Sequence, residues 1–328
     1  MNFNATIVRE IKDTPAMCHC SSLVQNDQGR LICVWYEGAY ETSSDTVLKI
    51  SSKDSGKPEW EAPRRLFNFP GVPLGNPVLF TFDGAKLFLI FSLLISESWK
   101  DSILCISASE DGGRTWSQPA ILLPKKGFMA KTRPLKLQSG KIVIPIYHEE
   151  EICPYVLILE DVEDLQNQKL VAETMARGFA IQPALTELQP DKLLMLCRTS
   201  RARIWASFSY NGGFSWSILS PTLIANPNSA IDLITARTGE LILAFNNSES
   251  NRNSLSVSLS ADKGKSWSFL QDIESGEGEY AYPCLIEDNQ GSIHLVYTES
   301  RYRIKHVQFD LEWLKEAALE KPLVTLAG

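Results

Sequence analysis

The sequence predicts an all-β protein of the six-bladed β-propeller class, and three observations carry that expectation. First, an eight-residue motif recurs without gaps as Ser109-Glu110-Asp111-Gly112-Gly113-Arg114-Thr115-Trp116, Ser209-Tyr210-Asn211-Gly212-Gly213-Phe214-Ser215-Trp216 and Ser260-Ala261-Asp262-Lys263-Gly264-Lys265-Ser266-Trp267. Second, the copies keep a period. A degenerate fourth copy runs from Ser52 to Trp60 with one extra residue, and the four leading serines stand 57, 100 and 51 residues apart. The middle interval is two periods, so one copy has decayed near Leu159-Glu160-Asp161. Third, the 328 residues hold about six periods of roughly fifty, the length of one four-stranded blade.

Each copy has the chemistry of a tight hairpin turn. Its Asp or Asn accepts hydrogen bonds from amides further along, and its glycine supplies the positive φ that a side chain resists. Thr or Ser then resumes the strand, and Trp buries a large surface in the core. Strand-like runs flank the turns, for example 102–107 before and 120–123 after. Along the chain, 5–11 reads as a strand without a blade of its own, able to pair with the last blade and remove two sheet edges. Residues 31–35 and 193–197 read as buried strands, and 303–309 falls where blade six needs its third strand. The stretch 310–321 reads as a helix capped by Asp310. No linker-like composition interrupts the chain, which is read as a single domain over 1–328.

Composition narrows the function. At 44% hydrophobic and 22% charged residues the chain is an ordinary globular one, which excludes disorder. Lys plus Arg number 32 against 39 acidic residues, a net charge of −7. Such a chain has no global attraction for nucleic acid or an anionic membrane, so any anion it takes must meet a local basic cluster. The longest apolar run, 87–95, is half a membrane span, and the opening residues show neither a basic nor an apolar leader region. The expected location is the cytoplasm. Seven cysteines lie scattered in apolar contexts, and Cys18-His19-Cys20 lacks further zinc ligands at usable spacing. Neither a metal nor a cofactor is expected.

The octapeptides resemble the Asp-box, or BNR, repeat of sialidases (neuraminidases). The likeness extends to Gly75-Asn76-Pro77-Val78-Leu79, Ile181-Gln182-Pro183-Ala184-Leu185, Asn226-Pro227-Asn228-Ser229-Ala230-Ile231-Asp232, Glu279-Tyr280-Ala281-Tyr282-Pro283 and the run from Tyr297 to His306. The resemblance implies a six-bladed propeller that binds a substrate carboxylate through arginines from different blades. It also implies a Tyr–Glu nucleophile pair, which suits an anionic sugar that would repel a carboxylate nucleophile. Arg198, Arg252 and Arg301 fit the cluster, 54 and 49 residues apart and so once per blade. Tyr282 with Glu279 fits the pair. Two features depart from the sialidase pattern. The first arginine's Arg-Ile-Pro is replaced by Ala16-Met17-Cys18-His19-Cys20-Ser21-Ser22, and the early loop carries Glu37, Glu41 and Asp45 where the acid/base Asp is expected. His19 can then carry the proton, because its ordinary pKa near 6.5 suits that role. Some sialidase-like propellers acting on uronic-acid polysaccharides rely on a histidine and arginines.

Each candidate also has a structural reading. Arg198 ends a buried strand, where a charge is a site residue or a rim salt bridge. Arg252 sits among polar loop residues, and Arg301 has Arg303 and Lys305 beside it. His19 is either a proton carrier or a satisfied core histidine, and Glu37 after Val34-Trp35-Tyr36 lines a funnel or pairs locally. Arg133 with Lys131 offers a further anion contact, and His148 lies in an acidic loop. Asn76 and Gln182 each precede a proline at a blade start, and Trp116, Trp216 and Trp267 are core. The expected catalytic set is His19, Glu37, Glu279 and Tyr282, and the expected binding set is Arg133, Arg198, Arg252 and Arg301. The function read from them is a sialidase-like hydrolase of a carboxylate-bearing glycoside. A uronate-directed lyase, a small-molecule enzyme reusing the funnel, and a non-catalytic glycan- or protein-binding propeller are the alternatives. The partner is a small-molecule or glycan substrate, and the oligomeric state is not encoded in any feature of the sequence.

Overall fold

The computed structural model describes residues 3–12, 16–162, 169–172 and 177–325. Their strands form six antiparallel sheets, each built on a meander of consecutive strands and two of them extended by a strand from a chain end, and the fold is the six-bladed β-propeller class that the repeats predict. The chain divides into two compact units: an N-terminal unit of Asn2–Ala130 with Ala281–Asp310, and a central unit of Lys131–Tyr280 with Leu311–Gly328.

In the N-terminal unit, blade 1 is built from Met17–Gln25, Leu31–Gly38, Val47–Lys53 and Arg64–Phe67, and blade 2 from Leu74–Phe80, Leu87–Leu94, Ser102–Ser109 and Ala120–Leu123. Blade 6 is built from Tyr280–Glu287, Ile293–Glu299 and Arg303–Phe309, and its fourth strand is Phe3–Glu10 from the start of the chain. The register pairs Ala5 with Val307 and Thr6 with His306, so the expected N-terminal closing strand is present. In the central unit, blade 3 contains Ile142–His148, Cys153–Leu159 and Lys169–Ala172. Blade 4 is Ala180–Gln189, Lys192–Thr199, Arg203–Ser209 and Ser220–Ala225. Blade 5 is Asp232–Thr235, Leu241–Phe245, Ser254–Ser260 and Ser266–Ser275. The decayed motif copy would fall after Cys153–Leu159, and 163–168 lie outside the described residues.

Burial follows strand order. Second strands such as Leu87–Leu94 and Leu241–Phe245 are almost wholly buried, because sheets cover both faces. Fourth strands such as Arg64–Phe67 are half exposed. The cores are local to each unit: Trp35 packs with Val8, Cys33 and Val296, and Phe245 with Leu196, Ile224 and Trp267. All seven cysteines are buried in such surroundings, and burial pushes the Cys18 thiol up to about 12 and the Cys105 thiol to about 11.

The three motif turns each join a third strand to a fourth. Asp111 accepts from the amides of Arg114 (3.0 Å) and Thr115 (2.9 Å) and from the Thr115 hydroxyl (2.6 Å). These bonds, led by the hydroxyl, hold its carboxyl down at about 2. Asn211 accepts from the Ser215 amide, and Asp262 from the amide and hydroxyl of Ser266. Trp116 and Trp216 are only half buried, a correction to their expected core burial, and each indole donates to the carbonyl of its own turn glycine. Trp267 is fully buried, and its indole donates instead to Thr325 Oγ1 at 3.0 Å.

That difference arises from the C-terminus, where the structure corrects the sequence. Only Leu311–Lys315 is helical, and Ala318–Val324 is a fifth strand on blade 5, pairing Trp267 with Leu323 and Phe269 with Ala318. Helix propensity is a weak prior, and the open ladder of Ser266–Ser275 outcompetes it by pairing backbone groups and packing Leu323 into the core. Thr325 accepts from Trp267 and donates to the Gly264 carbonyl. Thr325→Val leaves a buried indole N–H unsatisfied and should cost about 1–3 kcal/mol in denaturant unfolding.

Blade 6 contains a buried polar chain: Thr6 Oγ1 to His306 Nδ1 (3.2 Å), His306 Nε2 to His294 Nδ1 (2.9 Å), and His294 Nε2 to Asp288 Oδ2 (3.0 Å). Burial, with His294 and Lys53 nearby, holds His306 well below the usual histidine range. Asp288 is lowered despite its burial, through hydrogen bonds from His294 and from the amides of Ser292 and Gln290. The native state therefore refuses a proton that the unfolded His306 accepts below about pH 6.5, so stability falls on acidification. Unfolding free energies from denaturant titrations between pH 7 and pH 5 should decline by up to about 1.4 kcal/mol per pH unit for this site. A His306→Gln variant should flatten that slope, and an equally steep one would remove the histidine from the account.

Candidate functional site

A first strand entering a blade must turn its leading side chains away from a fully apolar sheet. Four blades do so with a non-glycine residue at positive φ: Cys20 (54°), Asn76 (46°), Gln182 (52°) and Tyr282 (55°). The pairing register slips at the same places, between His19 and Ser22, Gly75 and Val78, and Ile181 and Pro183. Asn76, Gln182 and Tyr282 each precede a proline, so the X-Pro step at a blade start is the sequence signal of this kink. Left-handed backbone at a non-glycine residue costs of order 1–3 kcal/mol and concentrates at functional sites.

In the N-terminal unit the kinks bring His19 and Tyr282 together, edge to face with ring centroids 4.5 Å apart, while Tyr36 packs on His19 at 5.9 Å. His19 is fully buried, and its Nε2 stands 3.6 Å from Oε1 of Glu41. Glu41 in turn pairs with the Arg301 guanidinium. Arg301 sits at φ 61° in the hairpin after Ile293–Glu299, and its carbonyl accepts from the Cys18 amide. Burial, then the Glu41 charge, pushes the Tyr36 phenol well above its usual range, so it stays neutral. An open cavity of about 650 Å³ is lined by Met17, Tyr40, Glu41, Ser300, Arg301 and Tyr302.

Glu37, expected beside His19, lies elsewhere. Strand alternation puts it on the face opposite Tyr36, where Arg9 donates to it at 2.6 Å and the Trp35 indole at 2.9 Å. Glu41 occupies the place instead. Its loop position, shared with Asp45, was the only signal for it in the sequence, and the expected set chose Glu37 instead.

In the central unit a hydrogen-bonded row crosses three blades. Gln182 Nε2 donates to the Tyr147 hydroxyl (3.3 Å), and Arg198 donates to Gln182 Oε1 (3.0 Å) and Asn228 Oδ1 (2.8 Å). Arg252 donates to the Asn228 carbonyl (2.7 Å) and to Glu279 Oε1 (3.1 Å). Arg198 and Arg252 thus meet around Asn228, itself at φ 55°. The charges are unequal: Arg252 has a carboxylate, whereas Arg198 is held by two neutral amides. Glu279 belongs to this row and Tyr282 to the N-terminal unit. Arg133 donates to the buried Asp232 at 3.3 Å, and His148 accepts from the Glu151 amide within its own turn.

Among the described residues, no group of three His, Cys, Asp or Glu is placed to hold a metal ion, and no helix is long and apolar enough to cross a membrane. Chemically, the N-terminal unit offers a tyrosine hydroxyl, a histidine and a carboxylate for proton transfer, and the central unit offers a cationic fork for an oxyanion.

No curated protein matches the chain significantly in sequence. Solved structures do match in fold. The Hadza microbial sialidase Hz136 superposes with a TM-score of 0.81 at 15% identity, covering 94% of this chain and 69% of that one. The NanB sialidase of Streptococcus pneumoniae gives 0.81 at 13% identity, covering 94% and 71%. The intramolecular trans-sialidase of Ruminococcus gnavus gives 0.76 at 15% identity, covering 91% and 95%. The family model described as a BNR repeat-like domain matches residues 29–295. That match spans all three recurring turns, and the chain belongs to the BNR repeat-like domain family.

Proposed function

We propose that this protein is a glycoside-processing enzyme that hydrolyses an anionic, carboxylate-bearing glycoside. The observation that carries the reading is Arg198, whose guanidinium is oriented by the neutral amides of Gln182 and Asn228 and so retains its charge for a ligand oxyanion. Arg252, beside it in the row, is charge-matched by Glu279 and acts as a secondary contact, whereas Arg301 of the N-terminal unit is charge-matched by Glu41. Within the N-terminal unit Tyr282 supplies the nucleophilic oxygen and His19 with Glu41 passes its proton to the departing glycosidic oxygen; water, deprotonated by the same pair, then cleaves the glycosyl–tyrosine bond and the proton returns to the phenol. Glu37 is a structural partner of Arg9 and Trp35 in this scheme. A second reading, eliminative cleavage of a uronate, is favoured by one contact: a buried histidine against a tyrosine is suited to proton abstraction beside a carboxylate.

Fluorogenic sialosides and uronides, with product absorbance recorded for unsaturated sugars, separate the two. Release of the fluorophore without an unsaturated product supports hydrolysis; an unsaturated product supports elimination. Arg198→Ala should lower kcat/KM by about ten- to hundredfold, the worth of a charged hydrogen bond, chiefly through KM. His19→Ala should lower kcat by about 10²–10⁴-fold, with a pH profile that loses one limb.

The two glutamates give opposite signatures. Glu41→Gln should remove turnover and leave the unfolding midpoint nearly unchanged. Glu37→Gln should cost about 1–3 kcal/mol of stability by weakening the partners of Arg9 and Trp35, with turnover retained in the folded fraction. The reverse pattern would return Glu37 to the site.

A further inference from the structure

The central unit has a second cavity, of about 530 Å³, whose lining includes Lys192, Lys263, Lys265, Tyr210, Phe208 and Leu188. Its cations come from two hairpins. Lys192 begins the second strand of blade 4, and Lys263 and Lys265 belong to the motif turn of blade 5. No acidic side chain lines it. Asp262, between the two sources of charge in sequence, is turned into its own hairpin, where it accepts from Ser260 and Ser266. The aromatic element is Tyr210, the second residue of a motif turn, which is 70% exposed. Lys192 Nζ stands 5.3 Å from its ring centroid, and Phe208 and Leu188 form a half-buried apolar floor.

We propose that this groove binds an anionic oligosaccharide at a site separate from the arginine row. Three flexible ammonium groups meet carboxylate or sulfate groups as point charges, while the tyrosine ring and apolar floor take the C–H face of a pyranose. The volume lies within the ordinary range for a small-ligand site. The separation follows from the strand itself: Lys192 and Arg198 are six residues apart on one extended strand, about 20 Å at ~3.3 Å per residue. The acidic balance of the whole chain favours a short, compact anion over a long nucleic acid, whose phosphates the remaining surface repels. The groove would hold a charged glycan chain by a segment remote from the reacting one. That role rests on the proposed glycoside-processing activity, whereas occupancy of the groove is measured without turnover and so fails or succeeds separately.

The test uses the full chain, with polygalacturonate oligomers and heparin-derived oligosaccharides as probes in titration calorimetry at physiological salt. A neutral dextran oligomer and a single-stranded oligonucleotide of matched charge serve as controls. The Lys192→Ala/Lys263→Ala/Lys265→Ala variant should bind the acidic oligosaccharide at least about tenfold more weakly, as expected for three exposed ion contacts. Tyr210→Ala should weaken binding about threefold, within the range of one exposed aromatic contact. Neither variant should change turnover of a small glycoside, and matched thermal unfolding checks their folding. If the triple variant melts early, Lys263→Gln/Lys265→Gln, on exposed turn positions, replaces it. Retained affinity in the lysine variants, equal affinity for the oligonucleotide, or loss of binding on Arg198→Ala alone would each overturn the proposal. Tight binding of the uronate but not the sulfated probe, or the reverse, supports it and identifies the anion.

Discussion

A strand buried on both faces has nowhere to place a polar side chain, and this constraint organises the chemistry of the chain. The second strands of the blades are almost continuously apolar, as in Leu193-Leu194-Met195-Leu196-Cys197 and Leu241–Phe245. Ionisable groups are therefore placed mostly at strand ends and in the hairpins that follow, and where one stays inside a sheet, as His294 and His306 do, it is hydrogen-bonded to a partner. Arg198 appears at the first position where Lys192–Thr199 leaves the core, and Glu41 and Arg301 appear in hairpins that follow second strands. Burying any of them within the sheet without a partner would cost several kcal/mol, so their location is a consequence of solvation.

The same constraint explains the strained entries. A first strand can present a polar group beside these ends only by breaking its alternation, and it does so at Cys20, Asn76, Gln182 and Tyr282 with left-handed backbone. The surrounding ladder holds the strain in place. Gln182 shows the benefit: its amide is 2% exposed and bridges Tyr147 and Arg198, so the guanidinium is oriented before any ligand arrives. Pre-orientation of this kind reduces the entropy lost on binding.

Charge compensation then differentiates residues that are alike in sequence. Three arginines recur once per blade, yet Arg252 and Arg301 face carboxylates while Arg198 faces amides. At the other end of the Arg198 strand, Lys192 belongs to a second cationic patch with no acidic lining. An acidic protein thus concentrates positive potential at the two ends of one strand, where low-dielectric walls strengthen it locally.

The turn motifs, their period and the number of blades were legible in the sequence, because each rests on local chemistry: an Asp or Asn that accepts turn amides, glycines at positive φ, and apolar runs between them. The N-terminal closing strand was legible for a related reason, since an odd strand and an open edge satisfy each other. The X-Pro steps marked the places where kinks occur. Three things were decided only by tertiary structure. Helix formers at 318–321 became strand because the edge of Ser266–Ser275 offered hydrogen bonds that an isolated helix could not match. Glu41 rather than Glu37 met His19 because alternation about Tyr36 sends Glu37 to Arg9 on the far face, and no composition rule states which face a neighbouring strand will occupy. Arg198 was separated from its counterparts by residues distant in sequence, Gln182 and Asn228. Whether a charge is neutralised depends on what the fold places within hydrogen-bonding distance of it, which spacing along the chain does not specify.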